Sequence, residues 1–512
     1  MISSIRIENL RSLRDTKNIE LRPINILIGG NSSGKSTFLR TFPLLSQTVS
    51  HNLRTAIAWY DESSVDFGDF ATSKTRDIDE DYIKFSFSLK SIDEFWARGR
   101  YPYRLLYNSD FAEKDWNLSL SYKQRSDNKG VFISLIEVWN DKHCVKFIMS
   151  EKKTVDVVLN GRELPHLEFL YYISGQPGLM PHIFCNSSSA NNGYDESHIM
   201  ALHPVSKFCL PRIKNKKRLL EVWNRWDEDI NIFLNNLHRY HDLKTLMDVF
   251  KTWDIETEEL HELYDSIYAV KVVEMMQLLN HHLRLYFDNC DYVAPLRAEA
   301  SRYTRFQGLQ VNRVDAFGRN LSEFIDSLTD TQRDSLNEYI EKALGVKVRV
   351  RNVSGHQSMT LTKDSKEYNM ADVGFGYSQI LPIITKLWQM QERKRFNTMA
   401  FYRSPFAVGL IEQPELHLHP ALQAKLADAF VKAAINKESR TTLIIETHSP
   451  TIINRIGRRV REGHISADKV NVIIFNKDPK TGHSKVSSTK FLQTGRIENW
   501  PSGFFEPEND TF

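Results

Sequence analysis

The sequence predicts an α/β fold in two lobes, with an antiparallel β region and a helical insertion lying between them in the chain. Three observations carry that expectation. Short apolar runs near the two ends, 24–28, 407–411, 442–445 and 470–475, have the length and β-branched content of buried parallel strands. Segments 83–89, 116–122, 131–139, 144–149 and 155–159 alternate, and turn-rich breaks at 126–130 and Asn160-Gly161 make them an antiparallel meander. From about Lys214 to Phe287 the apolar spacing turns helical, through Leu219, Leu220, Trp223 and Trp226 and then Val272, Val273, Met276 and Leu279. The boundaries that follow are a first lobe over 1–172, a helical insertion over 173–292 and a second lobe over 293–512.

Each element has a local reason. Ile5 and Ile7, then Ile19 and Leu21, flank a turn ahead of strand 24–28. Phe38, Leu39, Phe42 and Leu45 recur at helical spacing and predict a helix over 34–46. The small polar stretch 187–193 reads as a loop, and 500–512 carries no strong pattern. A helix over 420–435 separates strands 407–411 and 442–445. Trp223, Trp226 and Trp253 are most simply core. The 512 residues suggest two to four domains at about 100–200 residues each. A net charge of +3 excludes a histone-like polyelectrolyte. Four cysteines without a C-x-x-C pair argue against a zinc ribbon or a disulfide scaffold and suit a reducing cytoplasm. No apolar stretch reaches the ~18 residues of a membrane span, and the N-terminus lacks the apolar block of a signal peptide.

The strongest local signal is Gly29-Gly30-Asn31-Ser32-Ser33-Gly34-Lys35-Ser36-Thr37. It satisfies G-x-x-x-x-G-K-[ST] between an apolar strand and an amphipathic helix. Glycines let backbone N–H groups curl around phosphate oxygens, and the helix N-terminus adds its positive dipole. In that pattern Lys35 reaches the β- and γ-phosphates of ATP and the Ser36 hydroxyl ligates Mg²⁺. Gly29, Asn31, Ser32, Ser33, Gly34 and Thr37 complete the cradle.

A second signal is Ala407-Val408-Gly409-Leu410-Ile411-Glu412-Gln413-Pro414-Glu415, a buried strand that delivers a carboxylate to its C-terminal edge, where α/β nucleotide sites lie. Glu412 would hold Mg²⁺ through water, and Glu415 would be the general base for the attacking water. The third, Thr442-Leu443-Ile444-Ile445-Glu446-Thr447-His448-Ser449-Pro450, repeats the arrangement, and His448 can hydrogen-bond the γ-phosphate and position water. Taken singly, a strand-end acid pair is a solvated turn and a His after a strand is structural. Here one helix separates the two strands, which favours a shared site.

Together these pieces resemble the ABC-type ATPase heads, the class that includes the SMC, Rad50 and RecF proteins, over roughly 1–50 and 290–512. Ile7-Glu8-Asn9-Leu10-Arg11-Ser12-Leu13 looks like their opening strand, whose arginine, Arg11 here, lies near the nucleotide. A closer resemblance is to the OLD-like ATPases of bacterial defence operons. Its carriers are Pro295-Leu296-Arg297, the run 371–382 with Gly374-Phe375-Gly376-Tyr377-Ser378-Gln379, the run 411–420 with His417-Leu418-His419-Pro420, and Trp500-Pro501-Ser502-Gly503-Phe504-Phe505. The segment 374–379 stands where relatives have the signature loop that caps the γ-phosphate of the opposite subunit, which implies Gly374, Gly376 and Ser378 as contacts. The usual signature serine aligns with Gly374, so its hydroxyl contact is lost or supplied by Ser378. Asp66-Phe67-Gly68-Asp69 is a local candidate for a Q-loop, with a plain turn the simpler reading.

The resemblance implies an ATP-binding and hydrolysing subunit of an anti-phage defence complex. It would use ATP and Mg²⁺, form a homodimer or higher oligomer around ATP, and control a partner effector such as an HNH nuclease or a toxin. Within the family it is most similar to the Septu-type (PtuA) ATPases, also found with retrons, with the toxin-linked ATPase of the PARIS system a close competitor. Two other classes stand beside it. One is a RecF-like DNA-repair ATPase acting directly on DNA; the other is a transporter ATPase, which the helical insertion and OLD-like motifs do not suit.

Only 64 residues follow His448, and the first acid after strand 470–475 is Asp478. That leaves neither room nor a clustered set of carboxylates for a Toprim-type two-metal nuclease, so any cutting is expected of a partner. The insertion is too short for an SMC-type coiled-coil arm. His417 and His419 read as structural before they read as metal ligands. Arg455, Arg458, Arg459 and Arg461, and Lys214, Lys216, Lys217 and Arg218, are solvated faces by default and nucleic-acid or partner surfaces in the alternative.

Overall fold

The computed structural model describes residues 2–90, 114–165, 167, 169–172, 178–185, 222, 225–239, 250–299, 301–396, 406–436 and 440–500. The expectations for the loop 187–193, the basic group 214–218 and the motif 501–505 lie outside them. The chain forms two compact units, one of Met1–His51, Ala58–Ile83 and Arg284–Phe512, the other of Asn52–Ile57 and Lys84–Leu283.

The first unit opens with β1 (Ile2–Leu10), which pairs antiparallel with both β2 (Leu13–Asp15) and β3 (Ile19–Glu20). Strand β4 (Ile24–Gly29) is buried along its whole length and feeds α1 (Lys35–Ser50). Helix α1 runs past the expected end at 46, where Gln47, Thr48 and Val49 are still buried, and it absorbs Pro43 in its interior. A short helix α2 (Phe70–Ser73) follows, closed by a reciprocal cap between Asp69 and Thr72. The candidate Q-loop segment is therefore the entry to a capped turn.

In the second unit the alternating segments become β5 (Ile83–Leu89), β6 (Trp116–Gln124), β7 (Val131–Trp139), β8 (Cys144–Met149), β9 (Thr154–Leu159), β10 (Arg162–Glu163), β11 (Phe169–Tyr172) and β12 (His182–Cys185). They run in the order β12-β11-β9-β8-β7-β6-β5, with β10 paired to β9. Asn160 and Gly161 take φ of 50° and 88°, the left-handed pair that a two-residue hairpin turn requires between Leu159 and Arg162. Among the described residues two named helices follow, α3 (Ile230–His238) and α4 (Glu258–Asp288). Trp226 is half-buried and stacks on Tyr264 and Tyr268 at centroid distances of 5.4 and 5.8 Å, and Trp253 is buried as expected of a core residue, while Trp223 lies outside the described residues.

The chain then returns to the first unit. Strand β13 (Cys290–Val293) precedes β14 (Thr304–Arg305), α5 (Leu321–Asp326), α6 (Asp330–Leu344), β15 (Lys347–Val353), β16 (His356–Lys363) and β17 (Lys366–Asn369). Strands β14 to β17 make a small antiparallel sheet of their own, which the sequence patterns did not single out. Next come α7 (Phe375–Phe396), β18 (Phe406–Glu412), α8 (Pro420–Ala434), β19 (Arg440–Glu446), α9 (Pro450–Arg461), β20 (Val470–Lys477) and β21 (Ser484–Lys490). The main sheet has the order β13-β18-β19-β4-β20-β21, parallel throughout except for the antiparallel edge strand β21.

Period-two alternation gives this sheet two apolar faces. Ile24, Ile26, Ile28, Ala407, Ile411, Leu443, Ile445, Val470 and Val472 share one core with residues of α5 to α9. On α1, Phe38 meets Phe475 at 5.6 Å and Phe42 meets Phe287 at 6.3 Å between ring centroids. Burial on both sides is why these strands read as unbroken apolar runs. Among the described residues, no helix is long and apolar enough to cross a membrane.

Candidate nucleotide site

The loop after β4 is shaped by its glycines. Gly29 sits at φ +149°, and a Cβ there would lie 2.1 Å from the Phe475 carbonyl oxygen on β20. Gly34 sits at φ +101°, where a Cβ would lie 2.5 Å from Ser484 Oγ and 2.9 Å from Leu13 Cδ2. Gly30, by contrast, faces open space. Gly34 is also the N-cap of α1, with no side-chain cap and no acid in the first turn. The first N–H groups of the helix thus keep their donors for a ligand, the arrangement that suits an anion. Asn31 and Ser32 are exposed at the mouth and Thr37 is half-buried. Ser33 is buried, and its hydroxyl has no partner among the described residues. Lys35 is buried too, its Nζ donating to the carbonyls of Gly29 (3.0 Å) and Gly30 (2.7 Å). Burial lowers its pKa, and the charge of Glu446 opposes that.

Strands β18 and β19 end beside this loop because they are the next two strands of the sheet. Their terminal acids are register partners, Glu412 opposite Glu446. The two carboxylates have different company. Glu412 accepts from Arg40 Nε at 2.7 Å and Nη2 at 2.8 Å, and from the Tyr292 hydroxyl at 3.0 Å. Glu446 Oε1 accepts from the Ser36 hydroxyl at 2.9 Å, while Oε2 is buried with no partner among the described residues. Burial first, then the charge of Glu412, pushes the Glu446 carboxyl up to about 7.

Glu415 lies one turn past β18 and is tied to the loop after β19. Its Oε2 accepts from Thr447 Oγ1 at 2.8 Å and its Oε1 from the backbone N–H of His448 at 2.6 Å. Burial raises its pKa against those donors, the direction wanted of a general base. His448 is half-buried, and burial followed by the Lys35 charge lowers its pKa, favouring the neutral imidazole. Arg297 is 5% exposed, with Nη1 on the Ala294 carbonyl at 3.0 Å. Burial lowers its pKa to about 10 while the charge of Glu415 opposes the shift.

The structure thus gathers Lys35, Ser36, Glu412, Glu415 and His448 at the C-terminal edge of adjacent parallel strands, the crevice where such sheets bind ligands. Glu446, Arg40 and Arg297 are members of the cluster to which no role had been assigned. The signal for Glu446 was present: its strand ends in an acid just as Glu412's does. Arg11, at φ +51°, lies 4.3 Å over the Phe67 ring and donates to the Asp66 carbonyl at 3.4 Å. Gly374 takes φ +81° directly ahead of α7, which starts at Phe375. Ser378 turns its hydroxyl back to donate to the Phe375 carbonyl at 2.7 Å. A Cβ at Gly376 would meet the His417 carbonyl oxygen at 3.5 Å.

Two weaker features resolve into structural roles. His419 caps α8, its Nδ1 accepting from the Ala421 N–H at 3.2 Å, and His417 stands edge-on to Phe375 at 4.8 Å. In the arginine cluster, Arg455 and Arg459 both pair with Asp428, and Arg458 and Arg459 with Glu462. Much of that cluster's positive charge is therefore taken up within the chain.

A family model described as an AAA ATPase domain matches residues 1–173 and 194–453, most of the chain, and the protein belongs to that family. Among solved structures it is similar to an Smc head domain with an extended coiled coil bound to the C-terminal domain of ScpA, from Pyrococcus furiosus. That match has 11% identity, 95% of this chain and 96% of the other covered, and a TM-score of 0.35. The SMC head domain from Thermotoga maritima is similar at 7% identity, with 95% and 98% covered and a TM-score of 0.34. No curated protein matches.

Proposed function

We propose that this member of the AAA ATPase domain family binds ATP with Mg²⁺ at the β4–β18–β19 edge and hydrolyses it. In this reading Lys35 and the 29–37 loop hold the phosphates, and Ser36 and the strand-end acids face the cation. Glu415 takes the proton of the attacking water, and His448 orients that water against the γ-phosphate. The observation that carries it is the convergence of Lys35, Ser36 and two buried carboxylates at the ends of three neighbouring strands. The residues fit the cofactors. An uncapped helix N-terminus and two glycines that exclude a Cβ suit a triphosphate, and a buried carboxylate oxygen without a partner among the described residues suits a hard cation. The cation would neutralise charge developing on the phosphates.

We further infer that two copies close around ATP through the Gly374–Ser378 segment, and that this closure controls an effector partner in an anti-phage defence complex. Support for that finer statement is the OLD-like sequence motifs, together with Arg297 and Gln379 from two of them in contact, Gln379 Nε2 donating to the Arg297 carbonyl at 3.3 Å. The test is phosphate release and light scattering on the full chain with ATP and Mg²⁺. Lys35→Ala is expected to lose ATP binding, and Glu415→Gln to bind ATP, stop turnover and accumulate as a dimer. Unchanged binding in the first variant refutes the site; a Glu415→Gln protein that stays monomeric with ATP refutes the closure.

A further inference from the structure

We propose that the Nε–Nη2 edge of Arg297 is an oxyanion seat beside Glu415, taking two oxygens of a phosphate group: the terminal phosphate of ATP or the inorganic phosphate released from it. This rests on the nucleotide-site reading above and adds to it a residue that lies outside the phosphate loop.

The Arg297 side chain is buried, at 5% exposure, yet its Nε and Nη2 have no hydrogen-bond partner among the described residues. Those two donors form the edge with which arginine grips carboxylates and phosphates as a fork. The same edge is filled elsewhere in the chain: Arg40 turns it on Glu412, and Arg455 turns it on Asp428. Glu415 stands near Arg297, because Val293 faces Ile411 in register and each residue lies four positions further on. Its two oxygens are nevertheless engaged from the β19 side, by the Thr447 hydroxyl and the His448 N–H. The fork is thus held close to the residue read as the general base without being closed by it.

The seat is also fixed from behind. Nη1 donates to the Ala294 carbonyl at 3.0 Å, and two α7 side chains hold the same stretch of backbone. Gln379 Nε2 donates to the Arg297 carbonyl at 3.3 Å and Lys386 Nζ to the Tyr292 carbonyl at 2.6 Å. A buried charge is costly unless an opposite charge and hydrogen bonds meet it, so a buried open fork calls for an anion. Water would meet the donors and leave the charge uncompensated. A phosphate group supplies both, and the ligand of this site carries one.

The experiment is calorimetric binding of AMP-PNP and of ADP, each with Mg²⁺, to the full chain, followed by titration of inorganic phosphate onto the ADP-bound protein. It compares wild type, Arg297→Met, which removes charge and fork, and Arg297→Lys, which keeps the charge alone. If the terminal phosphate of ATP fills the seat, Arg297→Met weakens AMP-PNP binding about tenfold or more and leaves ADP within about twofold. If released phosphate fills it, both nucleotides bind as in wild type and phosphate binding to the ADP-bound chain is lost. An equal loss for both nucleotides makes Arg297 a structural residue and overturns the proposal, as does no change for any of the three ligands. Should Arg297→Met fail to fold, Arg297→Lys decides: it is expected to weaken AMP-PNP or phosphate selectively, and unchanged binding of all three overturns the proposal. If wild type binds neither nucleotide, the nucleotide-site reading itself fails and takes this inference with it; if wild type binds both and the Arg297 variants match it throughout, this inference fails alone.

Discussion

Arg40→Met isolates the ion pair that holds Glu412 at the end of β18. Arginine at this position supplies Nε and Nη2 to Glu412 at 2.7 and 2.8 Å, and methionine keeps the aliphatic bulk while removing both donors. Glu412, 2% exposed, is then left with the Tyr292 hydroxyl as its one side-chain donor among the described residues. Removing one partner of a buried pair costs about 3–5 kcal/mol, most of it the desolvated charge that remains. A third of the Arg40 side chain faces solvent, so water replaces part of what is lost, and about 2–3 kcal/mol is the expected destabilisation. Urea unfolding followed by far-UV circular dichroism reads this as a lower midpoint at unchanged slope. Adding Glu412→Gln removes the stranded charge and should recover at least about half of the loss. A single variant within about 0.5 kcal/mol of wild type, or a double variant whose losses simply add, would refute the coupling.

Other outcomes follow from the same geometry. Gly29→Ala must push its Cβ off the Phe475 carbonyl oxygen and is expected to cost at least about 2 kcal/mol with loss of ATP binding, whereas Gly30→Ala enters open space and should leave stability within about 0.5 kcal/mol; equal urea midpoints for the two would contradict this. At Asp428, burial pushes the carboxyl up, but the Arg459 and Arg455 guanidiniums outweigh it and hold it at about 2, below the ordinary 3.8. A depressed folded value contributes stability that is present above the ordinary value and lost as pH falls toward about 2. Asp428→Asn should therefore cost about 1–2 kcal/mol near neutrality, after discounting for partial exposure, and progressively less below pH 4; a loss independent of pH would assign the effect to packing.

Much of this was legible from local spacing. Strands buried on both faces appear as apolar runs, which is how 24–28, 407–411 and 470–475 declare themselves, and the hairpin at Asn160-Gly161 follows from two residues that tolerate positive φ. The phosphate loop is a local object, nine residues whose backbone dictates their types. What spacing cannot supply is register between distant strands. Glu412 and Glu446 carry the same local signature, a strand that ends in an acid, and only the pairing of β18, β19 and β4 decides which one meets Ser36, 410 residues away in the chain. Arg40 was invisible for the same reason, since it sits on the polar side of a helix pattern and its partner lies 372 residues further on. The edge strand β21 and the small sheet of β14 to β17 lack long apolar runs, so their pairing, not their composition, makes them strands.

The order of the main sheet also says what kind of object the site is. Strand β4 comes from residues 24–29, yet both of its hydrogen-bonding edges are taken by strands from the other end of the chain, β19 and β20. Gly29 itself pairs with Phe475, and the turn at Ser12 is bonded to Ser484, whose N–H donates to the Ser12 carbonyl at 2.8 Å. The loop is thus a local motif held in shape by non-local partners. Loop-closure entropy must be met before those contacts form, so the phosphate cradle is complete only once the C-terminal strands have docked. A chain built this way tolerates long insertions between its halves, because doubling the intervening length adds only about 0.6 kcal/mol of closure entropy. It does not tolerate a slip of β20 by one residue, which would exchange the faces of Val472 and Ile473 and move the Phe475 carbonyl off Gly29. Precision at the phosphate loop therefore resides in the register of β19 and β20 on β4.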